Sequence, residues 1–161
     1  ETRALDYSGA VKARTEMNLG FRVAGKITER AVNIGDRVKP GDLLARVDAT
    51  DYELAVKSAE ANLAAAEKGV QTADLANKRA IQLFDKSVAS KSQLEQASLT
   101  YDQAVSTRDA ALSSLDQAKN QVSYAALQAD QNGIVTAINA DTGQVVASGT
   151  PVVAVAVDGE K

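Results

Sequence analysis

Apolar side chains return every three or four residues through the middle of the chain and every two residues toward either end. These two periods divide it into helix-forming and strand-forming stretches. From Val56 the series Ala59, Leu63, Ala66, Val70, Ala73, Asn77, Ala80 and Phe84 advances by alternating steps of three and four. This is a heptad seam, with Val56 at an a position and Ala59 at a d position. A second series keeps the same steps through Leu94, Ala97, Tyr101, Ala104, Arg108, Ala111, Leu115, Ala118, Val122 and Ala125. Folding the chain back near Val88 and Ala89 pairs 84 with 94, 80 with 97, 77 with 101 and 56 with 122, position numbers that sum to 177 or 178. No other turn position brings the two seams face to face. The pattern predicts a long antiparallel coiled-coil α-hairpin over residues 50–127, with its tip near 87–90.

Each helix has a start signal. Thr50-Asp-Tyr-Glu53 and Ser90-Lys-Ser-Gln93 fit a capping box, in which a hydroxyl and a later carboxylate or amide satisfy reciprocal backbone donors for roughly 1 kcal/mol. A box from Ser92 to Glu95 competes with the second. The first helix is expected over Asp51 to Lys86, a rod on the order of 50 Å long. Its seam is mostly alanine, which permits close backbone approach but buries little area, whereas each buried Leu or Phe contributes roughly 1.5–3 kcal/mol. Asn77, at an a position opposite Tyr101, is expected to lower stability and fix register. Arg108, opposite Val70, is expected to extend outward over its aliphatic stem.

Before the helices, Met17, Leu19, Phe21 and Val23 alternate with Asn18, Gly20, Arg22 and Ala24, the period of a strand with one buried face that Gly25 ends. Short strands over Ile27 to Val32, Arg37-Val38 and Leu43 to Val47 follow, separated by turns at Asn33 to Asp36 and Lys39 to Asp42. After the helices the same unit returns. A shift of 108 positions places Gly25 on Gly133, Thr28 on Thr136, Gly35 on Gly143, Val38 on Val146 and Gly41 on Gly149 without a gap. Ile27 falls on Val135, Leu44 on Val152 and Val47 on Val155. Glycines at fixed offsets mark turns or close backbone approaches, so their coincidence predicts two copies of one backbone path. The fold class expected is α+β, with a β unit split into two related halves, 16–49 and 128–158, around the helical insertion. A weaker strand pattern surrounds Leu5, Tyr7, Val11 and Ala13.

Composition narrows the chemistry. The 161 residues carry 18 basic and 21 acidic side chains, interspersed, for a net charge of -3, and aromatics make up 4%. No basic run marks a nucleic-acid surface, and little is available for base stacking, so no nucleic-acid partner is expected. There is no cysteine and no histidine. Thiolate metal sites and disulfides are excluded, and the commonest metal ligand and general base are missing. Asp48, Asp51 and Glu53 cluster, but a helix N-terminus favours negative charge there. No catalytic constellation, cofactor site or metal site is expected, and no apolar run is long enough to span a bilayer.

Two particular stretches carry a resemblance. Gly25-Lys-Ile followed by Gly35-Asp-Arg-Val-Lys-Pro-Gly-Asp-Leu-Leu-Ala-Arg-Val-Asp48 resembles the first lipoyl-like half-motif of the periplasmic adaptor proteins. Asn132-Gly-Ile-Val with Gly143-Gln-Val-Val-Ala-Ser-Gly149 resembles the second. These adaptors, also called membrane fusion proteins (the HlyD-like family), serve Gram-negative tripartite efflux pumps of the RND type. One departure is Asp130, where the second half usually has proline. The resemblance implies a split lipoyl-like β-sandwich carrying the α-hairpin. It implies an adaptor that links an inner-membrane RND transporter to a TolC-type outer-membrane channel and self-associates into a funnel. It also implies a periplasmic location with an inner-membrane anchor outside this stretch. Residues 1–15 then read as a remnant strand from a β-barrel or membrane-proximal region, and 159–161 as the start of a further domain.

At the hairpin tip, Arg79, Leu83 and Ser90 match the family's spacing of arginine, leucine and serine for docking on the outer-membrane channel. Taken alone they read as a solvated arginine, a flanking leucine and an N-cap serine. Leu75 and Leu99, at f positions, point away from the partner helix and would suit packing between neighbouring hairpins. Two other readings compete. An adaptor of an ABC-driven exporter or type I secretion system would use a similar hairpin. A lipoyl or biotinyl carrier domain would need a lysine in the turn joining the halves, where Asp48-Ala-Thr-Asp51 and the helices stand instead.

Overall fold

The computed structural model describes residues 15–157. The strand read around Leu5, Tyr7, Val11 and Ala13 lies outside the described residues. The chain is a mixed α and β protein that divides into two compact units, one containing the residues up to Thr50 and those from Gln121 onward, the other Asp51–Asn120.

In the first unit, β1 (Thr15–Leu19), β2 (Gly25–Arg30), β3 (Arg37–Val38) and β4 (Leu43–Val47) precede the helices. They are followed by β5 (Ala126–Gln128), β6 (Gly133–Ile138), β7 (Val145–Val146) and β8 (Val153–Val157). All the pairings are antiparallel and make two four-stranded sheets, ordered β1-β8-β6-β3 and β5-β4-β2-β7. Under the 108-residue offset β4 corresponds to β8, β2 to β6 and β3 to β7. Each sheet therefore has the same internal order, and each takes both of its outer strands from the other half of the sequence.

The local geometry follows the same offset. Gly35 and Gly143 have φ of 96° and 94°, and Gly41 and Gly149 have 92° and 86°, in the left-handed region where a Cβ is penalised. The turns they make are closed reciprocally. The Gly35 amide donates to the Val135 carbonyl at 2.8 Å, and the Gly143 amide donates to the Ile27 carbonyl at 2.8 Å. The Asn33 amide donates to Asp36 Oδ2, and at the corresponding place the Asp141 amide donates to Gln144 Oε1. A register shift lies between Ile27 and Glu29 in β2, and another between Val135 and Ala137 in β6. At these bulges the Thr28 hydroxyl donates to the Arg46 carbonyl at 3.3 Å, and the Thr136 hydroxyl, 3.3 Å from the Ala154 carbonyl, donates by its shorter contact to Glu16 Oε2 on β1. A bulge leaves one residue out of the ladder, and in β2 the Thr28 hydroxyl supplies a bond across it. Phe21, Ile27, Val38, Leu44, Val47, Val135, Val152 and Val153 form the centre of the buried core.

The alternation from Met17 to Val23 does not make one strand. β1 stops at Leu19, and Phe21 and Val23, although buried, belong to an irregular segment. Gly20 lies against the Gly149–Thr150 turn, where a Cβ would come within 2.2 Å of the Thr150 carbonyl oxygen. The chain leaves the sheet there, and Gly25 opens β2 rather than closing β1.

The second unit is built from α1 (Thr50–Asp85) and α2 (Lys91–Ser123), joined by residues 86–90. α1 has 36 residues, so it extends about 54 Å. Along α1, Val56, Ala59, Leu63, Ala66, Val70, Ala73, Asn77 and Ala80 are half-buried or buried. Along α2 the same holds for Leu94, Ala97, Tyr101, Ala104, Arg108, Ala111, Leu115, Ala118 and Val122. These are the seam positions read from the sequence except Phe84, which is 38% exposed near the turn; off the seam, Asp74 and Val105 are half-buried as well. The sequence-read hairpin boundary at 127 overshoots, because α2 ends at Ser123 and Leu127 lies in β5. Ala125, assigned to the seam, lies beyond the helix end, where its amide donates to the Val122 carbonyl. Arg108 turns its guanidinium to the neighbouring Asp109 at 2.9 Å, with its stem half-buried.

Two glycines separate the demands of the units. A Cβ at Gly133 would lie 2.5 Å from the Ala156 carbonyl oxygen and 2.6 Å from Val155 Cγ1, whereas one at Gly69, within α1, would meet nothing within 4 Å. Gly133→Ala is expected to destabilise the β unit by about 2–3 kcal/mol. Gly69→Ala is expected to stabilise the helix by about 0.5–1 kcal/mol. Urea unfolding followed by circular dichroism checks both, and a Gly133→Ala midpoint at or above the parent's would refute the first.

Candidate functional site

The turn between α1 and α2 is fixed from both sides. On the α1 side the Ser87 amide donates to the Phe84 carbonyl at 2.9 Å, and the Val88 amide donates to the Leu83 carbonyl at 2.8 Å. Ser87 has a φ of 64°. This is the left-handed helix C-cap, in which two carbonyls orphaned by the helix end are satisfied by the residues that leave it. On the α2 side the Ser90 hydroxyl accepts from the Gln93 amide at 3.1 Å, and Gln93 Oε1 accepts from the Ser90 amide at 2.8 Å. Both bonds of the Ser90 to Gln93 capping box are formed, and the rival start at Ser92 falls inside the helix.

Arg79 and Ser90 are exposed, and Leu83 is 37% exposed. Leu83 lies in the last turn of α1 and Ser90 is the cap of α2, so the turn brings these two to the same end of the unit. Arg79 lies one helical turn before Leu83. Leu75 and Leu99 are exposed on α1 and α2. Ser87 and Val88 belong to the same end; the sequence placed the turn near Val88 but gave neither residue a part in contact. Nothing in periodicity marks a left-handed serine, since glycine is the usual signal for that conformation.

The other ends of the two helices return to adjacent strands, because β4 pairs with β5 through Leu43 and Gln128, Ala45 and Leu127, and Arg46 and Ala126. The cap of α1 differs from the one expected. Asp48, not Thr50, is the capping residue: its Oδ1 accepts from the Thr50 amide at 2.9 Å and from the Thr50 hydroxyl at 2.7 Å. Thr50 is already helical, and its hydroxyl is committed to Asp48. An aspartate two residues before a threonine was the available signal. The Thr50 hydroxyl and then the Thr50 amide hold the Asp48 carboxyl below the ordinary aspartate range, with Lys26 adding to the effect and desolvation opposing it. Just past α2, the Arg22 guanidinium stacks over the Tyr124 ring at 3.8 Å from its centroid. Among the described residues no cluster of three or more carboxylates suited to hold a metal ion occurs. No described helix is long and apolar enough to cross a membrane.

In sequence, the two long helices leave from β4 and return into its neighbour β5, so one two-sheet unit carries both of their ends. The chain belongs to the family described as RND MFP, barrel-sandwich hybrid domain, whose model matches residues 15–158. Among solved structures, it is similar to a MacA–MexA chimeric protein containing the Pseudomonas aeruginosa MexA α-hairpin domain. There the identity is 30%, the TM-score is 0.63, and 90% of this chain and 49% of that chain are covered. It is also similar to ZneB from Cupriavidus metallidurans at 26% identity and a TM-score of 0.63, covering 88% of this chain and 60% of that one. A UPF0194 membrane protein of Yersinia pseudotuberculosis is 36% identical over 101 residues, 63% of this chain and 29% of that relative. The chain thus spans less than a third of the length of that curated relative.

The Asp48 cap has a defined pH dependence. Its carboxyl has a depressed pKa in the folded state, so its contribution is fully present above the unfolded aspartate pKa and is lost as pH falls through the folded value. Asp48→Ala is expected to lower the melting temperature at neutral pH, with the difference from the parent narrowing in acid below the ordinary aspartate pKa. A difference that stays constant from neutral pH into acid would show that the carboxylate's charge takes no part.

Proposed function

We propose that this chain is the central portion of a periplasmic adaptor of a tripartite efflux pump, linking an inner-membrane RND transporter to a TolC-type outer-membrane channel. The observation that carries the reading is the doubly capped turn, which holds Leu83 and Ser90 at one end of the helical unit with Arg79 exposed one helical turn away. Capping on both sides makes the turn a rigid element, which is what a docking surface needs. The match to a family of RND membrane fusion proteins supports the RND transporter over an ABC-driven one. In this reading the protein works in the periplasm, held to the inner membrane by an anchor outside this stretch. Arg79→Asp is expected to abolish binding to a purified TolC-type channel while leaving helicity unchanged. Loss of helicity with loss of binding would make the effect structural.

The docking end depends on how α1 and α2 pair. In our reading the two half-buried stripes face each other as an antiparallel coiled coil, in the register where paired positions sum to 177 or 178. The two β halves are copies of one lipoyl-like motif, with domain limits at 16–49, 50–127 and 128–158 shifted by the few residues that α2 and β5 require. Asn77 acts as the polar register element of the seam. Its Oδ1 is buried without a hydrogen-bond partner. An unsatisfied buried acceptor costs about 1–3 kcal/mol. Asn77→Leu is therefore expected to raise the urea midpoint of the helical unit. A lowered midpoint would show that the amide is supported by an interaction the seam hides. Leu75 and Leu99 suit packing between neighbouring adaptors in a funnel. Cysteines placed at both positions in this cysteine-free chain should crosslink between chains, and the absence of an inter-chain product would exclude that packing.

A further inference from the structure

The turn end of the helical unit departs from local stability rules in several ways at once, whereas the start of α1 obeys them; the end of α2, like that of α1, has no basic residue in its last turn. α1 begins with Asp51 and Glu53 in its first turn, where the helix dipole favours carboxylates. At the turn end the charges are reversed. Asp85 closes α1 with no basic residue in its last turn, and α2 opens on Lys91 with no acidic residue in its first turn. Between them Ser87 holds a φ of 64°, the conformation that glycine adopts at no steric cost. Val88, the next residue, is 70% exposed. Positions where a sequence acts against its own local stability concentrate at functional sites.

Charge supplies the second, independent argument. Residues 78–91 contain Lys78, Arg79, Lys86 and Lys91 against Asp85 alone, a net charge of +3 in a chain whose total is -3. Lys78 is paired with Asp74 at 3.0 Å. The three remaining cations are exposed, together with Val88. Elsewhere in the chain acidic residues predominate.

We infer that the turn is a basic knob that seats on an acidic protein surface containing an apolar socket, with Lys86 and Lys91 supplying the charge and Val88 the plug. This rests on the docking reading above and adds two recognition groups beyond Arg79, Leu83 and Ser90, together with the chemistry of the surface they meet. A protein fits better than an anionic membrane. Stable attachment to a bilayer takes a longer basic run or a second anchor, whereas a shaped socket uses one protruding valine fully. Charges at the rim of such a contact accelerate association and make it sensitive to salt.

The test measures binding of the whole chain to a purified TolC-type channel in nanodiscs, between about 0.05 M and about 0.5 M salt. The parent is expected to bind and to lose affinity as salt rises. Lys86→Glu with Lys91→Glu should weaken binding roughly tenfold at low salt and flatten the salt dependence, with circular dichroism unchanged. Val88→Ser should weaken it by a smaller factor at every salt concentration. Absence of parental binding would overturn the docking reading itself. Parental binding that is unaffected by the double charge reversal would leave docking intact and overturn the basic knob. Anionic phosphatidylglycerol vesicles serve as the second arm. If they bind the chain through Lys86 and Lys91 while channel binding ignores those residues, the knob belongs to a membrane and the inference fails.

Discussion

The β unit depends on an exchange of hydrogen bonds between distant parts of the chain. The Gly35 turn is closed by the Val135 carbonyl and the Gly143 turn by the Ile27 carbonyl, while β3 completes the sheet of β6 and β7 completes that of β2. Neither half satisfies its own turn donors or sheet edges alone, and unpaired backbone groups at a buried edge are costly. The unit therefore forms only when both halves are together. Closing a loop of some 75 residues to bring them together costs about 4 kcal/mol if the loop is a flexible coil. A helical insertion that folds back on itself removes most of that cost by delivering β5 directly beside β4. The insertion and the exchange thus support each other.

How legible this was depended on whether a feature repeats. The heptad series was readable because its steps continue for some thirty residues in each helix, and most of the half-buried positions of both helices fall on it, Phe84 being exposed and Asp74 and Val105 lying off it. The 108-residue offset was readable because positive φ at two places in each half admits glycine almost alone, and the structure repeats it in the threonine-filled bulges, which no periodicity announced. Single local events were not readable. β5 is three residues long and continues the apolar spacing of α2 through Ala125 and Leu127, so the helix end was placed too late. Phe21 and Val23 kept a strand's alternation while the chain, at Gly20, had already left the sheet to pass the Thr150 carbonyl. Thr50 fitted a capping box by spacing, but the shorter reach to Asp48 wins because a carboxylate accepts from both its amide and its hydroxyl. At the turn, Arg79, Leu83 and Ser90 stood out through resemblance and Val88 as the mirror point of the two heptad series, whereas the left-handed Ser87 and the exposure of Val88 came only from the structure.

The two units draw their stability from different sources. The β unit has a contiguous core of large aliphatic side chains around Phe21. In the helices only Ala73 and Leu115 are fully buried. Alanine, glutamine, lysine and glutamate are good helix formers, so the rods gain from intrinsic propensity and from their caps what they lack in burial. Most helical stability in proteins comes from packing of an apolar face, and these helices bury little of one. Their ends therefore matter more than their middles. At the β unit both ends are held by strands and, locally, by the Asp48 cap and the Arg22 stack on Tyr124. At the turn they are held by two interlocking caps.

This division has a functional consequence. A knob that carries misplaced charges and a left-handed serine is tolerable only where something else supplies rigidity. The capping bonds of Phe84, Leu83, Ser90 and Gln93 supply it locally, and they use backbone groups, the Ser90 hydroxyl and the Gln93 side-chain amide, so none of them engages the side chains of Arg79, Lys86, Val88 or Lys91. The same economy makes the turn sensitive to changes made far from it. Loosening the exchange between Gly35 and Val135 would free the strands that hold both helix roots, and marginal helices would transmit that loss to the turn as fraying. On the docking reading proposed above, recognition belongs to the turn residues, and its persistence depends on the β unit.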